Sequence, residues 1–157
     1  MPKPRQRESV PSIDSSPPSG GLDRRLSKSR RLGASTLFKE TYAQGRRQVG
    51  RRMVLWIRTG PDASLRLGTV TGKKVSLRAN RRNRLRRRLR EAFRRIRPYL
   101  EGEVDVVLVG RRGGLDASWE ELVGELLRLA VRSGLLSEAN RRRAERDLFG
   151  EREGGEE

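Results

Sequence analysis

Apolar positions recur in two different rhythms along the middle of the chain. Leu37, Phe38, Thr41 and Tyr42 repeat at helical spacing, with Ser35 as N-cap and Gly45 as the stop. Met53 to Ile57 is an unbroken apolar run of strand length. After a turn cluster of Gly60, Pro61 and Asp62, Leu65 to Thr71 alternates as a further strand. From Arg82 to Arg97 the helical period returns, because Leu85, Leu89, Ala92, Phe93 and Ile96 share one side of a helical wheel. Pro98 ends that segment. Val104 to Val109 is a β-branched run suited to a central strand. Ser118 and Glu121 have capping-box spacing, and Leu122, Val123, Leu126, Leu127 and Ala130 follow on one helical face up to Gly134.

The order is helix, two or three strands, helix, strand, helix. It predicts an α+β fold in which helices pack on one face of a small mixed β-sheet, an α-β-β-β-α-β-α sandwich. The folded domain is expected over residues 23–136. Residues 1–22 are rich in Pro, Ser and charge, and bury too little apolar surface to offset the entropy of ordering, so they read as a disordered tail. Residues 137–157 read as a charged C-terminal tail. Within it, Ala139 to Phe149 has the makings of a frayed helix and Gly150 to Glu157 of disorder.

Charge changes the picture. The chain of 157 residues carries a net +17, from 37 Lys plus Arg against 20 Asp plus Glu, and all but five of the 37 are arginines. A guanidinium grips phosphate as a planar fork and stacks on bases, which an ammonium does not do. A charge this large opposes compaction unless a polyanion neutralises it. Nucleic acid is the first candidate, and an anionic membrane surface the weaker one. There is no Cys and no His, which excludes disulfides and Cys/His zinc sites and removes the commonest general base. Nothing resembles a signal peptide or a membrane span, so a soluble cytoplasmic protein is expected.

The charge is concentrated. Between Lys73 and Arg97 there are thirteen cationic residues and one acid, Glu91, a local net of +12. A solvated helix face normally mixes signs, since like charges one turn apart repel by about 0.2–0.5 kcal/mol per pair. Here Arg82, Arg86, Arg90 and Arg94 follow one another at that interval, as do Arg84 and Arg88. A helix that tolerates this is built to meet phosphates.

The run Lys73-Lys74-Val75-Ser76-Leu77-Arg78-Ala79-Asn80-Arg81-Arg82-Asn83-Arg84-Leu85-Arg86-Arg87 resembles the signature of the bacterial ribonuclease P protein family. In that family two lysines close a strand, a short crossover with an Ala follows, and Arg-Asn-Arg opens a basic helix. The crossover wording Ser76-Leu77-Arg78-Ala79 departs from the family's commonest Gly-Asn-Ala-Val. Phe38 to Gly45 is similar to the family's aromatic first helix, and Arg52 to Trp56 to its first strand. The resemblance runs from Arg25 to Leu135. It implies a non-catalytic subunit of an endoribonuclease that removes the 5′ leader of precursor tRNA, with the catalytic RNA and the leader as partners and no DNA or membrane. The implied RNA-binding residues are Lys73, Lys74, Arg78, Arg82, Asn83, Arg84, Arg86, Arg87 and Arg90. Phe38, Tyr42 and Trp56 are the implied leader-binding aromatics.

The residues support that carry-over. Phe38 and Tyr42 lie one turn apart and share a face, and aromatic faces stack bases with little sequence preference. Phe38 fits core packing as well as leader contact, Tyr42 and Trp56 suit a cleft, and Trp119 suits the core. The acidic residues form no metal-ligand motif, so no cofactor is expected on the protein alone; the resemblance implies magnesium in the holoenzyme. Gly68 to Lys74 has the wrong spacing for a phosphate-binding P-loop. The alternative is a ribosomal or other structural RNA-binding protein, since fold alone does not fix function. A DNA-compacting protein is a further rival, against which no dimerisation segment or base-reading helix is evident.

Overall fold

The longest amphipathic segment sets the architecture. In the computed structural model, which describes residues 35–150, it forms an 18-residue helix, Ala79–Ile96, that buries Leu85, Leu89, Ala92, Phe93 and Ile96. The elements in chain order are α1 (Ser35–Gln44), β1 (Arg46–Val49), β2 (Met53–Thr59), β3 (Leu67–Val70), α2 (Ala79–Ile96), β4 (Val104–Gly110), α3 (Trp119–Ser133) and α4 (Glu138–Phe149). Short 3-10 turns at Arg97–Tyr99 and Arg112–Gly114 follow α2 and β4. The fold is α+β, as the periodicity predicts.

The four strands lie in the order β1-β2-β4-β3. β1 with β2 and β2 with β4 pair antiparallel, whereas β3 and β4 are parallel and joined through α2. A parallel pair needs such a crossover, which is why the basic helix must stand beside the sheet. Met53, Leu55, Ile57, Leu67, Val106 and Leu108 point to one face and form a single core with α2 and α3. α3 is fixed at its start by the predicted capping box: Glu121 N–H donates to Ser118 Oγ at 3.1 Å, and Ser118 N–H to Glu121 Oε1 at 2.9 Å. Gly134 closes it in the left-handed region, φ 89°.

Three features differ from the sequence reading. β1 is a strand of exposed and half-exposed polar residues, and it hydrogen-bonds as an edge without any apolar signal. α1 lies on the face opposite α2 and α3, not with them. Its Phe38 meets Gly68, its Tyr42 meets Trp56 and its Glu40 meets Arg58, and those three strand residues alternate with the core-facing ones. α1 has too few apolar residues to bury a stripe, and it is held as much by polar contacts. Gln44, for example, exchanges hydrogen bonds with the Thr59 backbone, both 2.8 Å. Finally, the helix read over Ala139 to Phe149 is present as α4, but it is docked and not frayed. Ser137 caps it, Ala144 is fully buried, and Asp147 accepts a 2.6 Å hydrogen bond from the Tyr99 hydroxyl. Residues 1–22 and 151–157 lie outside the described residues. No helix among the described residues is long and apolar enough to cross a membrane.

Candidate nucleic-acid interface

Strand register builds the open face of the sheet row by row. One row runs Arg47, Trp56, Val107, Gly68 across all four strands, and the next runs Val49, Val54, Val109, Val70. α1 crosses the first row. Tyr42 meets Trp56 edge-on with ring centroids 5.0 Å apart, and the Arg47 guanidinium lies 5.2 Å over the Trp56 ring. The second row is the floor of a groove beside α1: three of its valines are half-buried and Val49 is 49 % exposed.

Phe38 is half-buried against the sheet where Gly68 lacks a side chain. A Cβ on Gly68 would come within 2.7 Å of Phe38 Cε1, so the glycine that fails as part of a phosphate loop serves as the seat for α1. Phe38 thus works as the anchor of the groove wall, while Tyr42 and Trp56 keep accessible ring surface. Trp119 packs at the edge of the core with Arg95 5.9 Å over its ring.

Buried charge holds the wall in place. Asp105 is fully buried and accepts from Arg58 and Arg66 guanidinium groups, both at 2.8 Å, and from the Ser64 and Arg66 backbone at 3.1 and 3.0 Å. Arg58 in turn donates to Glu40 of α1 at 3.1 Å. Burial pulls the Arg58 guanidinium down, but hydrogen bonds to Glu40 and Asp105 outweigh it and the net shift is upward. A carboxylate so fully engaged has no oxygen left for other work. Sequence reasoning overlooked Arg47, Arg58 and Arg66. Arg47 gave no signal, since its strand is polar, but Arg58, directly after the apolar run of β2, could have been read as a charge in need of a buried partner.

At the groove's basic end, β3 runs into the crossover loop. Lys73, Lys74 and Arg78 are exposed there, and Arg112 braces the loop by donating to Lys74 O at 2.9 Å. α2 begins at Ala79, three residues before the predicted start. Arg82 is half-buried and donates to Ser76 O at 2.9 Å, and Asn83 accepts from Arg86. Asn83, Arg84 and Arg87 are exposed, while Arg86 and Arg90 are partly covered. Ion pairs occur at the helix margins, Arg81 with Asp116 at 2.7 Å and Arg94 and Arg95 with Glu91. Among the described residues no carboxylate lies within ion-pair distance of Arg82, Arg84, Arg86, Arg87 or Arg88. Burial, and then the charge of Arg84, lower the Arg88 pKa. Like charges one turn apart repel, and a polyanion would relieve this. The large apolar residues that stand exposed among the described ones, Tyr42, Val49 and Leu77, all belong to the groove or the crossover loop.

Residues 26–134 match the model of the Ribonuclease P family. The chain belongs to the ribonuclease P protein family. The ribonuclease P protein component of Symbiobacterium thermophilum is 34 % identical over 112 residues, which is 71 % of this chain and 96 % of that protein. The component from Xanthomonas oryzae is 35 % identical over 113 residues, 72 % of this chain and 77 % of the relative. Among solved structures, the Thermotoga maritima ribonuclease P protein is 30 % identical with a TM-score of 0.57, covering 65 % of this chain and 96 % of that one. The Staphylococcus aureus protein shares the fold at 21 % identity and a TM-score of 0.61, covering 70 % of this chain and all of the other. As a ribonuclease P protein component, the chain belongs to an endoribonuclease that matures the 5′ end of tRNA. The reading as a ribosomal protein is not favoured. Helix α4 lies beyond the matched residues.

Proposed function

We propose that the protein holds the catalytic RNA of ribonuclease P on α2 and its crossover loop, and the single-stranded leader of precursor tRNA in the groove beside α1. One observation carries this: a helix whose Arg82, Arg84, Arg86, Arg87 and Arg88 have no carboxylate within ion-pair distance among the described residues leads out of the same sheet end as a groove lined by Tyr42, Trp56 and four valines. Lys73, Lys74, Arg78, Arg82, Arg84, Arg86, Arg87 and Arg90 would meet phosphates, and Asn83 would orient Arg86. Tyr42 and Trp56 would offer ring faces to leader bases, with Leu77 and the valine row adding apolar contact and Arg47 contacting the strand beside Trp56. Such contacts tolerate sequence variation, as a leader that differs between transcripts requires.

The chemistry belongs to the RNA on this reading. No three Asp or Glu side chains among the described residues come together as metal ligands, and the buried carboxylate nearest the groove, Asp105, is saturated by two arginines and two amides. On this reading the ions of the holoenzyme are held by the RNA. The protein's part is to bind, to favour precursor over product, and to neutralise phosphates so that the RNA folds and keeps its metals. It would act in the cytoplasm, where tRNA precursors are made. Reconstitution tests the proposal: the full chain mixed with a bacterial ribonuclease P RNA at low magnesium should restore 5′ processing that the RNA alone performs poorly. Absence of any stimulation would sink it.

A further inference from the structure

A second concentration of arginine lies away from α2. Where β1 turns into β2, Val49, Gly50, Arg51 and Arg52 form one wall of a pocket, and Glu125, Arg128 and Arg132 of α3 form the other. Four arginines and one glutamate give the lining a net charge of +3.

The glutamate is already occupied. Glu125 is buried and accepts from the Arg52 guanidinium at 2.9 Å and from the Arg52 and Met53 amides at 2.8 and 3.2 Å. A side chain on Gly50 would collide with its carboxylate, so the turn is shaped to close on it. Arg52 also approaches Glu121 at 3.7 Å on the rim. Glu125 and Arg52 therefore form a neutral, rigid floor. Arg51, Arg128 and Arg132 are exposed, and no carboxylate among the described residues lies within ion-pair distance of them. Arg132 sits in the last turn of α3, where the helix dipole also favours a cation. Arg128, a turn earlier, has no such reason to be basic.

We propose that this pocket is a second phosphate site, which takes a phosphodiester of the bound RNA independently of α2. The proposal rests on the RNA-binding reading above. Three features support it. The guanidinium groups extend from two elements fixed to each other through Glu125, so the backbone needs no rearrangement for them to converge on an anion. Their fork geometry suits phosphate oxygens. The pocket also stands at the opposite edge of the sheet from α2: α3 packs against β1 and β2, while α2 packs against β3 and β4. Three strand spacings, roughly 14 Å, separate those edges. One phosphate cannot serve both, so the pocket would take a phosphodiester other than those held by α2.

The test uses the full chain with isotope-labelled backbone and two probes. Inorganic phosphate should produce saturable chemical-shift changes at the Gly50 and Arg51 amides, both in the native protein and in the Arg82→Ala/Arg84→Ala/Arg87→Ala variant. Arg128→Ala/Arg132→Ala should abolish them, and Arg51→Ala should weaken them. All three side chains are exposed, so the fold should survive, and the remaining spectrum verifies this directly. With ribonuclease P RNA as the second probe, the Arg128/Arg132 variant should flatten the slope of log affinity against log salt by about 2, one unit per lost contact. Missing shifts, shifts that persist in the double variant, or an unchanged RNA slope would each overturn the site; phosphate binding with an unchanged RNA slope would mean a site for free anions only. The α2 variant reports separately. If it leaves the slope unchanged while the pocket variant alters it, the assignment of α2 fails and the pocket stands.

Discussion

Arginine is used in two opposite ways on either side of this sheet. At the end of the open face, Arg58 and Arg66 are turned inward, locked to one fully buried carboxylate and through Glu40 to α1. Along α2, Arg84 and Arg87 project from a helix with no carboxylate near them among the described residues. The first set is matched by charges the chain itself supplies. The second is left for a partner to match. The difference teaches that the electrostatic role of an arginine depends on whether the fold brings an acid to it, not on local composition.

The comparison is broken most forcefully from the inward side. Asp105→Asn removes the charge that Arg58 and Arg66 share, leaving two largely covered guanidinium groups poorly paired. Breaking a buried pair of this kind costs about 3–5 kcal/mol. Chemical denaturation should show a loss of that order, and α1 should loosen because Arg58 no longer holds Glu40 firmly. A change under 1 kcal/mol would mean that water replaces the carboxylate readily and that the cluster is not structural.

The outward set should behave in reverse. Arg82→Ala/Arg84→Ala/Arg87→Ala should leave stability nearly unchanged, because relief of like-charge pairs worth about 0.2–0.5 kcal/mol each offsets loss of the Arg82 hydrogen bond to Ser76 O. Affinity for ribonuclease P RNA should instead drop, and the salt slope should flatten by about 3 if each side chain meets one phosphate. A variant that unfolds, or that binds with the same slope, would place these arginines with the inward set.

This contrast explains what was legible in the sequence. α2 and α3 could be read because each carries a long apolar stripe of one period, and the density of charge on α2 was visible without any partner. β1 was hidden because Arg46, Arg47 and Gln48 form a strand only through backbone pairing with β2. The groove was half legible: Tyr42 and Trp56 could be named, but their meeting depends on α1 crossing the far face of the sheet. Arg58 and Asp105 lie 47 residues apart, and only the β2–β4 register joins them. The helix α4 was legible over Ala139 to Phe149, but its docking was not, because that depends on tertiary contacts: Ala144 enters the core, and Tyr99 offers its hydroxyl to Asp147 and its carbonyl to Asn140.

Between the two sets stands Arg47, exposed yet placed over Trp56. Tyr42→Ala and Trp56→Ala should each weaken binding of leader-bearing precursor by about 1–3 kcal/mol, the worth of one stacked base. Mature tRNA should bind as before. Equal losses for both RNAs would make the rings structural and would move Arg47 with them. Arg47→Ala should follow the same selectivity with a smaller effect, since it removes a contact to the ring and not the ring itself.

The smallest effect sharpens the boundary on α2 itself. Glu91 is the one acid between Lys73 and Arg97. Hydrogen bonds from Arg94 chiefly, and from Arg95, hold its carboxyl below the ordinary carboxylate range despite partial burial. A pKa lower in the folded state than in the unfolded chain means that stabilisation is complete above the unfolded value and disappears as pH falls through the folded one. Glu91→Gln should therefore cost a little stability at neutral pH and nothing in strong acid, so the two unfolding curves should converge as pH drops below the carboxylate range. RNA affinity should rise slightly in the same variant, because a negative charge is removed from the basic helix. If affinity instead stays constant while stability changes, the RNA footprint on α2 ends before Arg94, and the helix divides into an outward N-terminal half and an internally matched C-terminal turn.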